Sequence, residues 1–367
     1  MNTYSKKMME KIVDWATRER HIERYLIGGG LACITPAINW GSAISVTTKI
    51  MGYDVDLSLI PSLPELLQCI LIVVGSILFV IGALIAVIRY RHNRADNDRK
   101  IVFVIELRGL RDTTNTPLVD ATPKNLIGRR ESILVDIRER IKDGVVTDPE
   151  KALERVFGLS ADLERRHNGM AASDISTVYG GLSPVPFTFL TGLLLDDESH
   201  ITVLDWDRSN QKWRQLDEID DDESFVVSGE DSIGRDTIEI AMAISVSYGV
   251  DIASVSKLFP NMPVVKLQLS KLSTDTHWSE DKQRRLASEF LSVAIRAESA
   301  GIKKINLFIA APNSLVFRFG RVYDKRNLPR IFVYQYQKGR DIEHPWAVDM
   351  PVHDDRVPQI KYSQSPS

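Results

Sequence analysis

Two segments of this 367-residue chain share one unusual order of residues: an apolar run, a turn of small residues and proline, and a helix-like run that closes on glycine. The first is GGLSPVPFTFLTG (Gly180–Gly192) and the second is IAAPNSLVFRFGR (Ile309–Arg321). Small residues let a ligand approach the backbone, and the unpaired N–H groups at the start of a helix attract anions. Ordinary helix capping would explain either turn alone. Two such turns facing one cleft predict a ligand with several phosphates.

The residues that would contact such a ligand can be named from their positions in the chain. In a parallel sheet, ligands bind beyond the carboxyl ends of the strands, where the loops diverge. Arg108 follows the first predicted strand, and Lys271 follows its counterpart in the second half. Trp278 could stack on a base or simply pack within the protein. The candidate ligand-binding residues are Arg108, Gly109, Gly180, Gly181, Ser183, Ser270, Lys271, Trp278, Ala311, Asn313 and Ser314.

The elements that must position these residues are predicted from hydrophobic periodicity. Asp148 with Pro149, and Ser279, are residue types that begin helices. Apolar residues spaced as on one helical face predict a further helix over Asn125–Ile141, whereas Thr237–Gly249 fits a strand or a helix. Short continuous apolar runs predict buried parallel strands. These strands are Ile101–Leu107, Ile175–Gly181, His200–Trp206, Met262–Leu269, Lys304–Ala311 and Arg330–Tyr336.

The order of these elements predicts the fold class. Strands that alternate with helices imply crossover connections and mostly parallel sheets. The same order occurs twice, which indicates an α/β protein with two related halves, about 101–230 and 237–367. The stretch between the opening strand and the turn is longer in the first half, which indicates an insertion there. The acidic stretch Asp217–Ser224 between the halves is predicted to be a solvated turn.

Two long segments near the N-terminus are predicted to be transmembrane helices. Tyr25–Thr48 and Leu66–Ile88 contain no Asp, Glu, Lys or Arg, and each is long enough to cross a hydrocarbon layer of about 30 Å. A cleaved signal peptide would have a shorter charged segment before its apolar run and no second span after it. The first span, which contains Pro36, also fits a buried helix, whereas the second hardly does.

Charge asymmetry sets the orientation of these spans. Basic residues precede the first span and follow the second, whereas the loop between them has one lysine, Lys49, and three carboxylates. The positive-inside rule therefore places both termini in the cytoplasm and the loop outside. The predicted organisation is a cytoplasmic segment 1–24, transmembrane helices 25–48 and 66–88 around an external loop 49–65, a juxtamembrane linker 89–100, and a soluble domain 101–367.

Composition argues against several kinds of site. The only two cysteines, Cys33 and Cys69, lie in the predicted spans, so the soluble part has neither a disulfide framework nor a thiolate metal site. From Ile101 onward Asp and Glu outnumber Lys and Arg, whereas a protein that binds duplex nucleic acid would be basic. We therefore expect no metal, no cofactor and no duplex nucleic acid.

Motifs of common enzymes are absent from the sequence. The chain contains no G-x-x-x-x-G-K-[ST], H-E-x-x-H or G-x-S-x-G, and its seven histidines show no ligand spacing. Asp205 and Asp207 form a D-x-D pair after a predicted strand, a pattern that faintly suggests an aspartyl-phosphate site. Otherwise we expect no catalytic residue.

Four segments, in this order along the chain, are typical of one family: VIELRG (Val104–Gly109), VYGGLSPVPFTFLTGLLL (Val178–Leu195), LDWDRSNQKWRQL (Leu204–Leu216), and LFIAAPNSLVFRFGRVYD (Leu307–Asp324) followed by FVYQYQ (Phe332–Gln337). Through them the region from about Ile101 to Ser367 resembles the SAVED domain, a fusion of two Rossmann-like, CARF-type halves that senses cyclic oligonucleotides in bacterial anti-phage (CBASS) systems. The resemblance also explains the D-x-D pair better than an enzyme site does.

With two spans in front, the chain resembles the two-transmembrane SAVED effector. That resemblance implies a membrane-anchored receptor: a cyclic di- or trinucleotide made on infection binds the SAVED domain, the protein self-associates, and clustered spans disrupt the bacterial inner membrane. Small residues suit helix packing in lipid, although glycines are also simply tolerated there. The candidate packing residues are Gly28 and Ala32 in the first span and Gly75, Gly82 and Ala86 in the second.

Two other functions are compatible with the same sequence. A membrane-tethered ring nuclease would cleave the cyclic messenger, as some CARF proteins do. A passive anchored scaffold would bind a partner protein and no nucleotide. Chemical analysis of the nucleotide after incubation separates the nuclease from the receptor, and a nucleotide-dependent thermal shift separates the receptor from the scaffold.

Overall fold

The structure is a computed structural model of the chain, and it describes residues 22–34, 46–50, 53–57, 65–196, 201–352 and 357–363. The chain divides into two compact units, residues 1–98 and 99–367. Most of the predicted N-terminal segment 1–24 lies outside the described residues.

The first unit contains a strand hairpin where the sequence predicts the end of a span and an external loop. Strands β1 (Val46–Ile50) and β2 (Tyr53–Leu57) pair antiparallel, with Val46 opposite Leu57. Val46–Thr48, predicted to end the first transmembrane helix, are therefore extended, as a run of β-branched residues favours. Residues 35–45, the middle of that predicted span, lie outside the described residues.

Two helices complete the first unit, α1 (Ile22–Ile34) and α2 (Glu65–Arg99). Within α2, Cys69–Arg91 is long and apolar enough to cross a membrane, and it is the one such segment in the described part of the chain. The helix continues through the predicted linker as far as Arg99, so that stretch is helical rather than irregular. Extending an existing helix costs little, because each added residue contributes a hydrogen bond without a new nucleation step.

Helices α1 and α2 approach each other closely at glycines. A Cβ atom on Gly30 would lie 2.7 Å from the carbonyl oxygen of Gly75, and one on Gly82 would lie 2.9 Å from Cγ1 of Ile27. Gly75 and Gly82 are buried, as expected of residues that face a neighbouring helix. Small residues thus allow this backbone contact within one chain.

The other predicted packing residues lie elsewhere on these helices. Gly28 and Ala32 are exposed on α1, and a Cβ atom on Gly28 would meet nothing within 4 Å. Gly30, which was not predicted, takes their place on the face towards α2. Ala86 is half-buried on α2, and near it Arg89 forms an ion pair with Glu23 of α1 at 3.3 Å.

The first half of the second unit is built on a five-stranded sheet. Its strands are β3 (Ile101–Arg108), β4 (Arg129–Asp136), β7 (Ile175–Leu182), β8 (Ile201–Asp207) and β9 (Lys212–Gln215), its helices are α3 (Pro149–His167) and α4 (Val185–Leu194), and β5 (Ile141–Lys142) and β6 (Val145–Val146) form a separate hairpin. The strand order is β4-β3-β7-β8-β9. Every pair is parallel except β8 with β9.

The second half contains a seven-stranded sheet. Its strands are β10 (Val226–Ser228), β11 (Glu239–Ser245), β12 (Val264–Gln268), β13 (Lys304–Ala310), β14 (Arg330–Gln335), β15 (Trp346–Asp349) and β16 (Gln359–Tyr362), and its helices are α5 (Ile252–Leu258), α6 (Glu280–Ser299) and α7 (Asn313–Val322). The order is β10-β12-β11-β13-β14-β15-β16. The pairs among β12, β11, β13 and β14 are parallel, and the outer strands pair antiparallel.

The two sheets repeat one arrangement, which confirms the predicted α/β fold of two related halves. The order β4-β3-β7-β8-β9 corresponds to β12-β11-β13-β14-β15, with the same parallel pairs and the same antiparallel last strand. The counterpart of β3 is therefore β11, whereas the sequence analysis chose Met262–Leu269, which contains β12. The stretch Thr237–Gly249, left open between strand and helix, contains β11.

Most predicted elements are present, including the six predicted strands and two helix starts. Asp148 accepts a hydrogen bond from Lys151 N at 3.1 Å, and Ser279 accepts one from Lys282 N at 3.3 Å. Both side chains thus cap the helices that the sequence predicted to begin there.

The helix predicted over Asn125–Ile141 is wrong. Arg129–Asp136 form β4, which pairs with β3 along its whole length. The apolar residues there also fit the period of a strand, because Ile133 and Val135 are buried while Leu134 between them is 39% exposed. The apolar residues fit a helical period and a strand period almost equally well, and the backbone hydrogen bonds to β3 favour the strand.

Both sheets bury one face against a shared layer of helices. A single core cluster includes Leu107 of β3, Phe189 of α4, Ile305 of β13 and Phe317 of α7. Helix α4 also contacts β14 and β15 of the second half, and α7 contacts β7 and β8 of the first. These two helices therefore carry the interface between the halves.

Candidate ligand-binding site

Helices α4 and α7 bring the two repeated turns to one end of the domain. They run parallel and cross where Gly192 of α4 meets Gly320 of α7, and a Cβ atom on Gly320 would overlap the carbonyl oxygen of Phe189. Near their N-terminal ends, Thr188 Oγ1 donates a hydrogen bond to Asn313 Oδ1 at 2.9 Å. The closing glycines of the two repeated segments thus permit the contact that makes both turns converge.

The loops at the carboxyl edges make matching hydrogen bonds in the two halves. After β3, the backbone N–H groups of Gly109 and of the next residue both donate to Leu182 O of β7, each at 2.8 Å. After β11, Val246 N and Ser247 N both donate to Ala310 O of β13, each at 2.9 Å. The match confirms that β11 corresponds to β3. It also makes Ser245 and Val246 the counterparts of Arg108 and Gly109, so that the loop which follows, residues 246–248, lies at this edge although the sequence analysis did not select it.

A carboxylate of the first half occupies the N-terminal end of α7. Asp205, on β8 and 4% exposed, accepts hydrogen bonds from Ser314 N at 3.1 Å and from Ser314 Oγ at 2.5 Å. Burial alone would raise the pKa of Asp205, but its interaction with His277 and the hydrogen bonds from Ser314 and Trp206 N hold that pKa below its usual range. The donors predicted to hold a ligand phosphate thus bind an anion of the chain itself.

Proline leaves each helix end with few N–H groups for a ligand. The start of α4, Pro184–Pro186, has an N–H only on Val185, because proline has none. At the start of α7, Ser314 N is already bonded and Asn313 N remains. Among the described residues, neither Val185 N nor Asn313 N has an acceptor. Several phosphates would therefore need side-chain cations in addition to the helix ends.

A buried polar cluster joins the halves around Asp205. His277 Nε2 lies 3.4 Å from Asp205 Oδ2. Gln283 Nε2 donates to Ser314 Oγ at 2.8 Å and to the carbonyl oxygen of His277 at 2.7 Å, and Arg318 Nε donates to Gln283 Oε1 at 3.1 Å. Each of these five side chains is less than a tenth exposed. The cluster fixes the first half to the starts of α6 and α7.

This cluster contains a serine, a histidine and an aspartate, but not in the order that activates a nucleophile. The hydroxyl of Ser314 donates to the Asp205 carboxylate, which lies between it and the imidazole of His277. A nucleophilic serine would instead donate to the imidazole. In the described residues there is also no group of three or more His, Cys, Asp or Glu side chains that could hold a metal ion.

Two predicted site residues are engaged within the protein. Arg108 is 7% exposed, and its Nε donates to Glu106 at 2.6 Å. Trp278 is 4% exposed; its Nε1 donates to Asp275 at 3.0 Å, and the guanidinium of Arg214 lies over its ring at 4.7 Å. Of the two roles considered for Trp278, the structure shows the packing role.

The remaining predicted residues divide into a buried group and an exposed group. A Cβ atom on Gly180 would meet Leu118, and one on Gly181 would overlap the hydroxyl of Tyr179, so both glycines lie beneath the surface. Ser183 is 1% exposed. Gly109 and Ser314 are buried as well. The predicted residues that reach the surface at this edge are Ser270 and Lys271, which are exposed, and Ala311 and Asn313, which are half-buried.

The acidic stretch Asp217–Ser224 is largely exposed, as the sequence predicted, but some of its carboxylates also bind α6. Lys282 of α6 is 1% exposed, and its Nζ donates to Asp221 at 2.6 Å and to Glu223 at 3.1 Å. Glu223 also accepts a hydrogen bond from Lys271 N at 3.0 Å. A buried lysine ammonium needs carboxylates to compensate its charge, and Asp221 and Glu223 supply them here.

Sequence analysis missed the residues that hold the halves together and the loop that completes the edge. Asp205 carried a signal, since a carboxylate inside the apolar run of β8 is unusual, but its partner Ser314 is 109 residues away. Residues 246–248 carried a signal only if Thr237–Gly249 was taken as a strand, because their role follows from the position of β11.

Comparison with protein families identifies both parts of the chain. Residues 159–350 match the SAVED family, the SMODS-associated and fused to various effectors sensor domain. The chain belongs to the SAVED family. Residues 3–153 match the SAVED-fused 2TM effector domain, and the two matches meet within α3. The predicted combination of a transmembrane effector region with a SAVED domain is confirmed.

Solved structures of other SAVED proteins resemble the chain at low sequence identity. One is the Acinetobacter baumannii Cap4 SAVED/CARF-domain receptor with the cyclic trinucleotide 2′3′3′-cAAA. It is 12% identical to this chain, the alignment includes 75% of this chain and 58% of the receptor, and the TM-score is 0.45. The same receptor with 3′3′3′-cAAA is 13% identical over the same shares, with a TM-score of 0.46. The Moraxella osloensis Cap4 receptor is 14% identical, covers 65% and 47%, and has a TM-score of 0.40. This chain thus spans about half of the length of these receptors, 47–58%. No protein with a curated description matches the chain significantly.

Proposed function

We propose that this protein is a membrane-anchored receptor whose SAVED domain binds a cyclic di- or trinucleotide without cleaving it. Binding makes the protein self-associate, and the clustered transmembrane helices then disrupt the bacterial inner membrane, which aborts phage infection. Both termini and the SAVED domain lie in the cytoplasm, in agreement with the basic residues on either side of the apolar segments.

One observation carries the nucleotide-binding part of this proposal. The parallel contact of α4 and α7 at Gly192 and Gly320 brings the repeated turns of both halves to one edge, with Thr188 and Asn313 2.9 Å apart. A ring with several phosphates and bases needs contacts from more than one side, and a paired edge supplies them. The family membership supports the same function, because the SAVED domain is a sensor domain.

The proposed site has an exposed layer and a supporting layer. Ser270, Lys271, Ala311 and Asn313 contact the ligand from the second half, since they reach the surface at the shared edge. The buried candidates shape the edge from beneath. They are Arg108, Gly109, Gly180, Gly181, Ser183, Trp278 and Ser314.

The ligand is tested on the full-length protein in lipid nanodiscs. At about 100 times the dissociation constant, 3′3′3′-cAAA or another cyclic di- or trinucleotide is expected to stabilise the SAVED domain by about 2.7 kcal/mol, a rise in melting temperature of roughly 5 °C or more. Mass spectrometry should recover the nucleotide intact. Linear products would make the protein a ring nuclease, and the absence of any shift with a full set of cyclic nucleotides would leave a scaffold.

The membrane part of the proposal is tested by separating binding from killing. Leucine at Gly82 would place a large side chain against Ile27 and force α1 and α2 apart. We expect Gly82→Leu to bind nucleotide as the wild type does and to kill at least about tenfold fewer cells on induction with the nucleotide. Gly28→Leu is the matched control for the contact between α1 and α2, because nothing lies within 4 Å of that position. A disulfide-trapping assay should show that α1 and α2 still contact each other in this variant. Full killing by Gly82→Leu would show that this packing is not needed.

A further inference from the structure

The repeat assigns equivalent positions to two exposed side chains at the proposed edge. Gly109 corresponds to Val246 by the hydrogen bonds that each makes to the neighbouring strand. Two residues further along, Arg111 in the first half therefore corresponds to Tyr248 in the second. Both are exposed. The position is central in each half, because β3 and β11 are each flanked on both sides by parallel strands.

Tyr248 has the properties of a ligand-stacking residue rather than of a packing residue. Its side chain is 61% exposed, and it makes no hydrogen bond or ring contact to any described residue. Gly249 follows it, and no side chain at that position shields the ring. An exposed aromatic ring at the carboxyl edge of a parallel sheet, where ligands bind, is available to stack on a base.

The loop that carries Tyr248 joins the two segments that the proposal already places at the ligand. On one side, Ser247 N donates to Ala310 O, immediately before the turn that contains Asn313. On the other side, Ser273 N donates to Val246 O at 3.1 Å, which ties the loop to the segment that contains Lys271. Tyr248 thus lies between a helix end and an exposed lysine whose side chain forms no ion pair with any described residue.

Arg111 is exposed at the equivalent position of the first half, but unlike Tyr248 its side chain contacts another residue. Its guanidinium lies over the ring of Trp206 at 5.3 Å, and Trp206 is only 6% exposed. Within the described part of the chain Arg111 has no carboxylate partner. A guanidinium supported on one face by a buried indole can stack on a base or bind a phosphate with its other groups.

We propose that Tyr248 and Arg111 are the two base-contacting residues of this site: the ring of Tyr248 stacks on one base of the cyclic nucleotide, and the guanidinium of Arg111 contacts a second base or the phosphate beside it. This inference rests on the proposed function. It makes the site asymmetric, with an aromatic contact from the second half and a cationic one from the first, although the two positions are related by the repeat.

The test measures the affinity of the full-length protein for 3′3′3′-cAAA in detergent by calorimetry. Base stacking on an aromatic side chain is worth about 1–3 kcal/mol, so Tyr248→Ala should weaken binding roughly 5- to 150-fold, whereas Tyr248→Phe should stay within about twofold of the wild type. Arg111→Ala should also weaken binding, and Arg111→Lys should restore only part of the loss because lysine lacks the planar group.

The control is Tyr362→Ala, which removes an equally exposed tyrosine, 60% against 61%, from the edge strand β16. It should bind as the wild type does, although it also removes the hydrogen bond from the Tyr362 hydroxyl to Glu150 at 2.8 Å. The Tyr248 and Arg111 variants should keep the wild-type melting temperature without ligand. If the wild type binds the nucleotide and Tyr248→Ala binds it equally well, this inference fails while the receptor proposal stands. If the wild type binds none of the cyclic nucleotides, the receptor proposal fails and this inference with it.

Discussion

Replacement of Gly320 by alanine is expected to destabilise the SAVED domain by about 3–5 kcal/mol, because the added methyl group has no space. Its Cβ atom would overlap the carbonyl oxygen of Phe189 and lie 3.1 Å from Leu193 N. Backbone atoms cannot move aside as the end of a flexible side chain can. Helices α4 and α7 would have to separate, and the two halves would lose their shared core.

Glycine at position 158 provides a control of opposite sign. Gly158 lies inside α3, and a Cβ atom there would meet nothing within 4 Å. Gly158→Ala should therefore stabilise the domain by about 0.5–1 kcal/mol, because alanine restricts the unfolded chain and favours the helix. Urea unfolding of the two variants, followed by circular dichroism, measures both changes. Equal stability of the two variants would contradict the close helix contact.

The sequence was informative about this contact because the relevant pattern is local. Gly192 and Gly320 each close a segment in which an apolar strand, a turn with proline and an apolar helix follow within a few residues. The repetition predicted a paired arrangement, and the structure shows the atoms that require glycine. The error over Asn125–Ile141 has the opposite cause, since its apolar residues fit both periods and the pairing partner β3 lies outside the window.

The site was harder to predict because its decisive contacts join distant parts of the chain. Thr188 meets Asn313, and Asp205 meets Ser314, across more than 100 residues in each case. From sequence, a helix start such as Pro312–Ser314 indicates a free anion site. Only the fold shows that a carboxylate of the other half already fills it. The assignment of β12 as the counterpart of β3 failed for a related reason, because strand order is not sequence order in a parallel sheet.

The occupied end of α7 also changes how the ligand would be held. With Ser314 N bonded to Asp205 and few N–H groups left by the prolines, helix ends supply little of the positive potential. Exposed side chains must supply the rest, and Lys271 and Arg111 are placed to do so. This agrees with a SAVED domain that is acidic as a whole but has Lys271 and Arg111 exposed.

Removal of the Asp205 carboxylate is expected to cost about 3–5 kcal/mol of stability at pH 7. In Asp205→Ala, the hydroxyl and N–H of Ser314 and the N–H of Trp206 all lose their acceptor in a buried site. Asp205→Asn keeps one oxygen for the two donors of Ser314 but loses the charge and the second oxygen, which accepts from Trp206 N, so it should cost less than the alanine variant, about 1–3 kcal/mol. Asp217→Asn is the matched surface control; its side chain is 66% exposed, and it should change stability by less than about 0.5 kcal/mol.

The dependence on pH separates the charge of Asp205 from its shape. Because the pKa of Asp205 is held below its ordinary value of 3.8, the stabilisation by its charge is complete above the unfolded-state pKa and is lost as the pH falls through the folded-state pKa. The difference in unfolding free energy between the wild type and Asp205→Asn should therefore persist at pH 5 and shrink below about 4. Urea titrations at pH 3–8 measure it. A difference that disappears between pH 7 and 5 would show that another group controls the bond between the halves, since a depressed carboxylate keeps its charge throughout that range.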